Sequence, residues 1–168
     1  TQPYDDGDGT YTASVDDAID DEGNDGASGT ETDSYTLDTT PPTLSGLTLE
    51  NDGSDGVALT FESNERLDSI RVTVDGPGGE DLYTFGQADF NVGGSGPFTY
   101  TLATPQPYGA GDGTYTAAVD DAIDDAGNDG ADGSLTDSYT LDTTAPTVSN
   151  VALGNDGSDN LALSFESD

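Results

Sequence analysis

The residues best equipped for chemistry in this chain are acids, and they recur. DDAIDDEGNDGASG spans 16–29, and DDAIDDAGNDGADG spans 120–133. In the second copy Asp120, Asp121, Asp124, Asp125, Asn128 and Asp129 crowd carboxylate and amide oxygens into one short stretch. Oxygen donors at this density suit calcium, which takes ~6–8 oxygen ligands from carboxylates, amides, backbone carbonyls and water. The spacing is not that of an EF-hand. Placing Gly26 or Gly130 at the sixth loop position puts Thr32 or Thr136 at the twelfth, where a bidentate Glu belongs. No GGxGxD repeat of the calcium-binding β-roll type occurs either.

Other chemistries are poorly supplied. The chain has 35 acidic residues against two basic ones, Arg66 and Arg71, for a net charge of −33. Nucleic acid and anionic membranes would repel such a surface, whereas cations would be drawn to it. His, Cys and Lys are all absent, which removes the usual general bases and nucleophiles. Carboxylates are so common that no pair of them points to glycoside hydrolysis. No enzyme is expected. Without Cys there is no disulfide framework, and without Lys no Lys–Asn isopeptide staple. No run approaches the ~18 apolar residues of a membrane span, and no signal peptide is recognisable. The chain begins mid-pattern, so it reads as an excerpt, and missing targeting signals carry little weight.

Composition alone favours an acidic, disordered polymer: Leu, Ile, Val and Phe make up 29 residues, 17% of the chain. That is below the ~20% at which high charge signals disorder. Arrangement points the other way. Residues 1–64 return as 105–168 at a constant offset of 104 without a gap, and 46 of the 64 pairs are identical. The chain therefore divides into the end of one repeat (1–40), a whole repeat (41–144) and the start of a third (145–168). The boundaries fall at LDTTPPT and LDTTAPT, where Pro interrupts strand pairing and stiffens the connection.

Within the whole repeat, apolar residues alternate with period two. Leu47 and Leu49 are followed by Val57, Leu59 and Phe61, then by Ile70, Val72 and Val74. A less regular stretch carries Tyr83, Phe85, Phe90 and Val92. Phe98, Tyr100 and Leu102, then Tyr115, Ala117 and Val119, and finally Tyr139 and Leu141 complete the set. About seven short strands with Gly, Asp, Asn and Pro turns predict an all-β fold, an immunoglobulin-like β-sandwich repeated in tandem.

DTTAPTVSNVAL, LSFES, DGTYTAAV and DAGN together resemble the bacterial-type Ig-like repeats of large prokaryotic surface and adhesin proteins. Tyr115, and Tyr11 before it, fall at the tyrosine-corner position of strand F, and Ala117 stands where antibody domains place a cysteine. The core Trp and the disulfide of antibody domains are missing. The resemblance implies an extracellular, cell-surface module, and related repeats often hold calcium at their linkers.

The acids then have two roles to fill. The base case is adaptation to concentrated salt, as in proteins of salt-loving microbes such as halophilic archaea: Asp hydrates strongly, and avoiding Lys removes exposed apolar stem. At 1 M salt the Debye length is only ~3 Å, so like charges tolerate each other. The second role is a calcium site. In an Ig-like sandwich the B–C and F–G loops lie where the chain enters. The F–G loop at 120–133 and the B–C segment FESNERLD, with Glu62 and Glu65, are then expected to crowd the incoming linker at Asp38. Asp142 is expected to repeat the role of Asp38 one unit later.

The expected function is non-enzymatic and structural: a stiff stalk or filament of end-to-end units, with neighbouring repeats or copies of the chain as partners. Strand donation between copies belongs to the same class, since a hairpin without its sandwich can complete another. An adhesin recognising a cell-surface receptor or glycan is the alternative, with Tyr83, Phe85, Phe90 and Phe98 as a stacking face. An accessory domain of an S-layer protein or secreted enzyme is a further one. There is no N-x-S/T sequon to support S-layer identity.

Overall fold

The structure, a computed structural model, describes residues 7–27 and 31–168. Its regular elements are strands, apart from one 3-10 turn at Gln87–Asp89. In chain order they are β1 (Gly9–Ser14), β2 (Thr32–Leu37), β3 (Leu44–Asn51), β4 (Gly56–Ser63), β5 (Leu67–Asp75), β6 (Asp81–Gly86) and β7 (Phe90–Gly94). They continue with β8 (Phe98–Leu102), β9 (Gln106–Pro107), β10 (Gly113–Asp124), β11 (Thr136–Leu141), β12 (Val148–Asn155) and β13 (Leu161–Ser167).

Two antiparallel sheets build the middle of the chain. One has the order β3-β4-β8-β7, with the short β9 on β4, and the other the order β11-β10-β5-β6. The predicted alternation is what folds them together. Leu47, Leu49, Val57, Leu59 and Phe61 of the first sheet share one core with Ile70, Val72, Val74, Tyr115, Ala117 and Val119 of the second. Phe61 stacks on Tyr100 with ring centroids 4.9 Å apart and meets Phe90 edge-on at 5.6 Å. The fold is thus an all-β sandwich. The Tyr100 hydroxyl is not wasted in this core: it accepts the Leu67 N–H at 2.7 Å. Phe85 and Phe90 also lie in the core, so they are not available as an exposed stacking face.

The outer hairpins repeat the local structure without the sandwich. β1 pairs with β2 from Gly9↔Leu37 to Ser14↔Thr32, and β10 with β11 in the same register from Gly113↔Leu141 to Ala118↔Thr136. β12 pairs with β13 as β3 does with β4, with the register shift in the same place. That bulge requires a left-handed residue: Gly46 (φ 64°) in one copy and Asn150 (φ 52°) in the other. Asn is the side chain that best tolerates this region.

Sequence reasoning placed all of 120–133 in a loop, but β10 continues to Asp124. The reason is a partner. Val119, Asp121, Ala122, Ile123 and Asp124 pair with Val72, Arg71, Ile70, Ser69 and Leu67 of β5. In the first copy β5 has no counterpart among the described residues, and β1 stops at Ser14.

Candidate metal centre

The bulge in β10 decides which acids face inward. Tyr115, Ala117 and Val119 point into the core, and the register then shifts between Val119 and Asp121. An extra residue reverses the side-chain parity of everything after it. Asp120 and Asp121 are consequently both held toward Arg71. Its Nε donates to Asp121 at 2.6 Å, its Nη1 lies 3.5 Å from Asp120, and Thr73 donates to Asp120 at 2.9 Å. Ala122 and Asp124 turn inward instead, and Asp124 is only 4% exposed.

A buried carboxylate needs donors, and the loop after β10 is wound to supply them. Asp124 Oδ1 accepts the N–H groups of Ala126 (2.8 Å) and Asn128 (2.9 Å), while Oδ2 accepts Asn128 Nδ2 at 2.9 Å. Asp129 Oδ1 closes the loop base by accepting from Ala122 (3.0 Å) and Ala131 (2.9 Å). The incoming linker is tied to the same loop, since Asn128 Nδ2 also donates to the Asp38 carbonyl at 3.1 Å. On its other side Thr43 N–H donates to Asn64 Oδ1 at 2.6 Å, in the turn between β4 and β5.

Three segments distant in sequence thereby meet. Asp38 from the linker, Glu65 from the β4–β5 turn and Asp124 from β10 each offer a carboxylate oxygen, and these oxygens lie within 4.8 Å of one another. Asp38 and Glu65 are half-buried. A cavity of about 540 Å³ opens beside them, bordered also by Tyr35, Thr36, Arg66 and Asp125. Burial pushes the Glu65 carboxyl above its ordinary range, and the charges of Asp38 and Asp124 push it the same way. Burial also pushes Asp124 up. The Asn128 side chain and the N–H groups of Asn128, Ala126 and Gly127 outweigh it, so Asp124 ends below its usual value. The arrangement sets a carboxyl whose pKa is lowered beside one whose pKa is raised, and all three carboxyl groups offer hard oxygen donors.

Among the predicted ligands, then, Asp38, Glu65 and Asp124 are brought together, Asp125 borders the cavity and Asn128 braces it. The others are elsewhere. Glu62 stands on β4 opposite Thr99. Asp120 and Asp121 serve Arg71, and Asp129 serves the loop backbone. Asp142 accepts the Thr144 N–H at 2.9 Å and belongs to no acidic group of three among the described residues. Sequence reasoning missed the tether at Arg71 and the inward turn of Asp124. The signal for the latter was present: the apolar parity of 115, 117 and 119 breaks at Ala122.

At the opposite end of each unit a different clasp recurs. Asp8 accepts from Thr39 N (3.0 Å), Thr39 Oγ1 (2.7 Å) and Thr40 Oγ1 (2.6 Å). Asp112 does the same with Thr143 (2.9 and 2.6 Å) and Thr144 (2.7 Å). Every linker described is thus gripped by the unit it leaves.

Fold and site together define an acidic β-sandwich repeat with a carboxylate cluster where one unit meets the next. Over 123 residues, 70% of this chain, the sequence is 44% identical to halomucin of Haloquadratum walsbyi; the chain spans about 1% of the length of that relative. No family model matches the chain, and no solved structure matches it. Among the described residues no helix is long and apolar enough to cross a membrane.

Proposed function

We infer that this chain is a stretch of tandem immunoglobulin-like repeats from an extracellular surface protein of a salt-adapted organism, and that its work is mechanical. The units join end to end into a stiff stalk or filament, and calcium bound by Asp38, Glu65 and Asp124 stiffens each junction. Neighbouring copies complete one another's outer hairpins by strand donation. Support for the Ig-like type comes from strand order: β3-β4-β8-β7 reads as A-B-E-D and β11-β10-β5 as G-F-C, with β6 added beside C. The tyrosine corner agrees, with the Tyr115 hydroxyl donating to the Gly111 carbonyl at 2.7 Å. The salt-adapted, surface setting rests on the likeness to halomucin, whose name joins salt and mucin, and on the charge of −33.

The observation that carries the calcium reading is the convergence of three carboxylates from three separate segments on one junction. A triad of this charge favours a dication over water, and an all-oxygen donor set without His or Cys favours calcium over zinc. The remaining ligands would come from water or the nearby Asp125. Such an ion stabilises only the folded junction, by about 2.7 kcal/mol at a hundredfold excess over its dissociation constant.

The test is a thermal melt in molar salt with calcium or with EGTA at constant ionic strength. Chelation is expected to lower Tm, and the pair Asp38→Ala plus Glu65→Ala is expected to abolish that sensitivity. A melt indifferent to EGTA would remove calcium from the proposal. Electron micrographs would test the stalk: isolated globular particles, with no filaments or rods, would contradict it.

A further inference from the structure

The chain holds the same loop twice, and beside the second copy the structure describes a seated linker. We propose that the loop Asp124–Gly130 is a preformed socket for the Asp-Thr-Thr-x-Pro segment of the preceding unit, with Gly130 as the position that admits it.

The socket is built before anything fills it. In the second copy Ala122 N donates to Asp129 (3.0 Å), Asp124 N to the Asn128 carbonyl (3.1 Å) and Gly130 N to the Ala122 carbonyl (3.0 Å). The first copy reproduces all three: Ala18 to Asp25 (3.1 Å), Asp20 to Asn24 (2.9 Å) and Gly26 to Ala18 (3.0 Å). The side-chain brace is also the same, with Asn24 Nδ2 donating to Asp20 Oδ2 at 2.9 Å. No described linker touches this first loop. Its shape is therefore a property of D-x-x-G-N-D-G itself.

The two copies differ in the contacts made outward, the second lying beside β5 and the β4–β5 turn as well as the linker. Asn128 Nδ2 gains the Asp38 carbonyl as a second acceptor, and Asn128 becomes half-buried while Asn24 is exposed. Asp124 is buried and Asp20 exposed. Pro42 is buried where the loop lies against it, and Pro146, the same residue one repeat later and with no such loop described beside it, is exposed.

Gly130 is where the two surfaces come closest. A Cβ there would overlap the Pro42 carbonyl oxygen, 2.8 Å from the carbonyl carbon and 2.9 Å from the ring Cγ. At Gly26 the nearest atom would be the Ala18 carbonyl oxygen at 3.7 Å, an ordinary contact. Neither glycine has the left-handed φ that would forbid a side chain on its own account. The glycine at this position is thus required by the linker, not by the loop. Seated between Gly130 and Asn128 at one end and Asp112-type or Asp8-type clasps at the other, the linker loses its freedom to bend. The restraint comes from backbone contact at Gly130 and from the hydrogen bonds to Asn128, Asn64 and Asp8, so it does not require the ion proposed above.

Electron–electron resonance distances between nitroxides at Thr12→Cys and Thr84→Cys, in the otherwise cysteine-free full chain, test this. The parent is expected to give one narrow distance with or without EGTA. Gly130→Ala is expected to lose it, while the chain keeps its β circular dichroism. Gly26→Ala, the same change in the same loop, is expected to keep the narrow distance. A narrow distance surviving Gly130→Ala, equal broadening by Gly26→Ala, or a parent that is already broad would overturn the socket. A parent narrow in calcium and broad in EGTA would overturn it too, placing the restraint on the ion instead.

Discussion

Glu65 and Asp124 face one another with opposite tendencies, and pH separates them. The Glu65 carboxyl is raised, chiefly by burial and then by Asp38 and Asp124, so the folded state binds its proton more tightly than the unfolded chain. Stability from this residue is full at low pH and lost as pH rises through the raised value. Without metal, Glu65→Gln is expected to raise Tm at neutral pH and to erase that loss with rising pH; with calcium it is expected to lower Tm. Melts across pH in EGTA and in calcium check both signs. Asp112 runs the other way, since the Thr143 and Thr144 hydroxyls hold it below its ordinary 3.8. Its contribution is present above that value and fades as pH falls below it, so acid is expected to loosen the grip on the outgoing linker. The tyrosine corner makes a simpler prediction. Tyr115 is fully buried with its hydroxyl bonded to Gly111, and Tyr115→Phe is expected to cost about 1 kcal/mol in a denaturant titration.

Strands of closely similar sequence behave differently according to what covers them. Phe61 on β4 has no exposure, and Phe165, its counterpart on β13, is 59% exposed. Phe61→Ala is expected to cost about 3–5 kcal/mol, as buried aromatic truncations do. Phe165→Ala in the same chain is expected to cost far less, and urea midpoints compare the two directly. The alternating strands and the acidic turn that follows β10 were legible in the sequence, because turn residues and period-two patterning act locally. The length of β10 was not legible. TYTASVDDAID and TYTAAVDDAID differ at one residue, yet only the copy paired with β5 extends to Asp124.

For the whole molecule the governing quantity is charge. At −33, with one described arginine forming ion pairs, self-repulsion is screened only when the Debye length falls to a few ångströms. Tm is therefore expected to climb steadily as KCl rises from about 0.1 M to about 3 M, where screening is nearly complete. A melt independent of salt over that range would mean that the acids do not set stability. The sequence by itself determined the all-β class and the 104-residue repeat, since both follow from local period and turn chemistry. Tertiary structure alone decided which acids meet. The register shift between Val119 and Asp121, formed where β5 lies beside β10, turns Asp124 inward, and linker docking brings Asp38 to it and to Glu65. Side-chain parity is set by pairing with a strand some fifty residues away in sequence, so the break in apolar spacing at Ala122 gains its meaning only from that pairing.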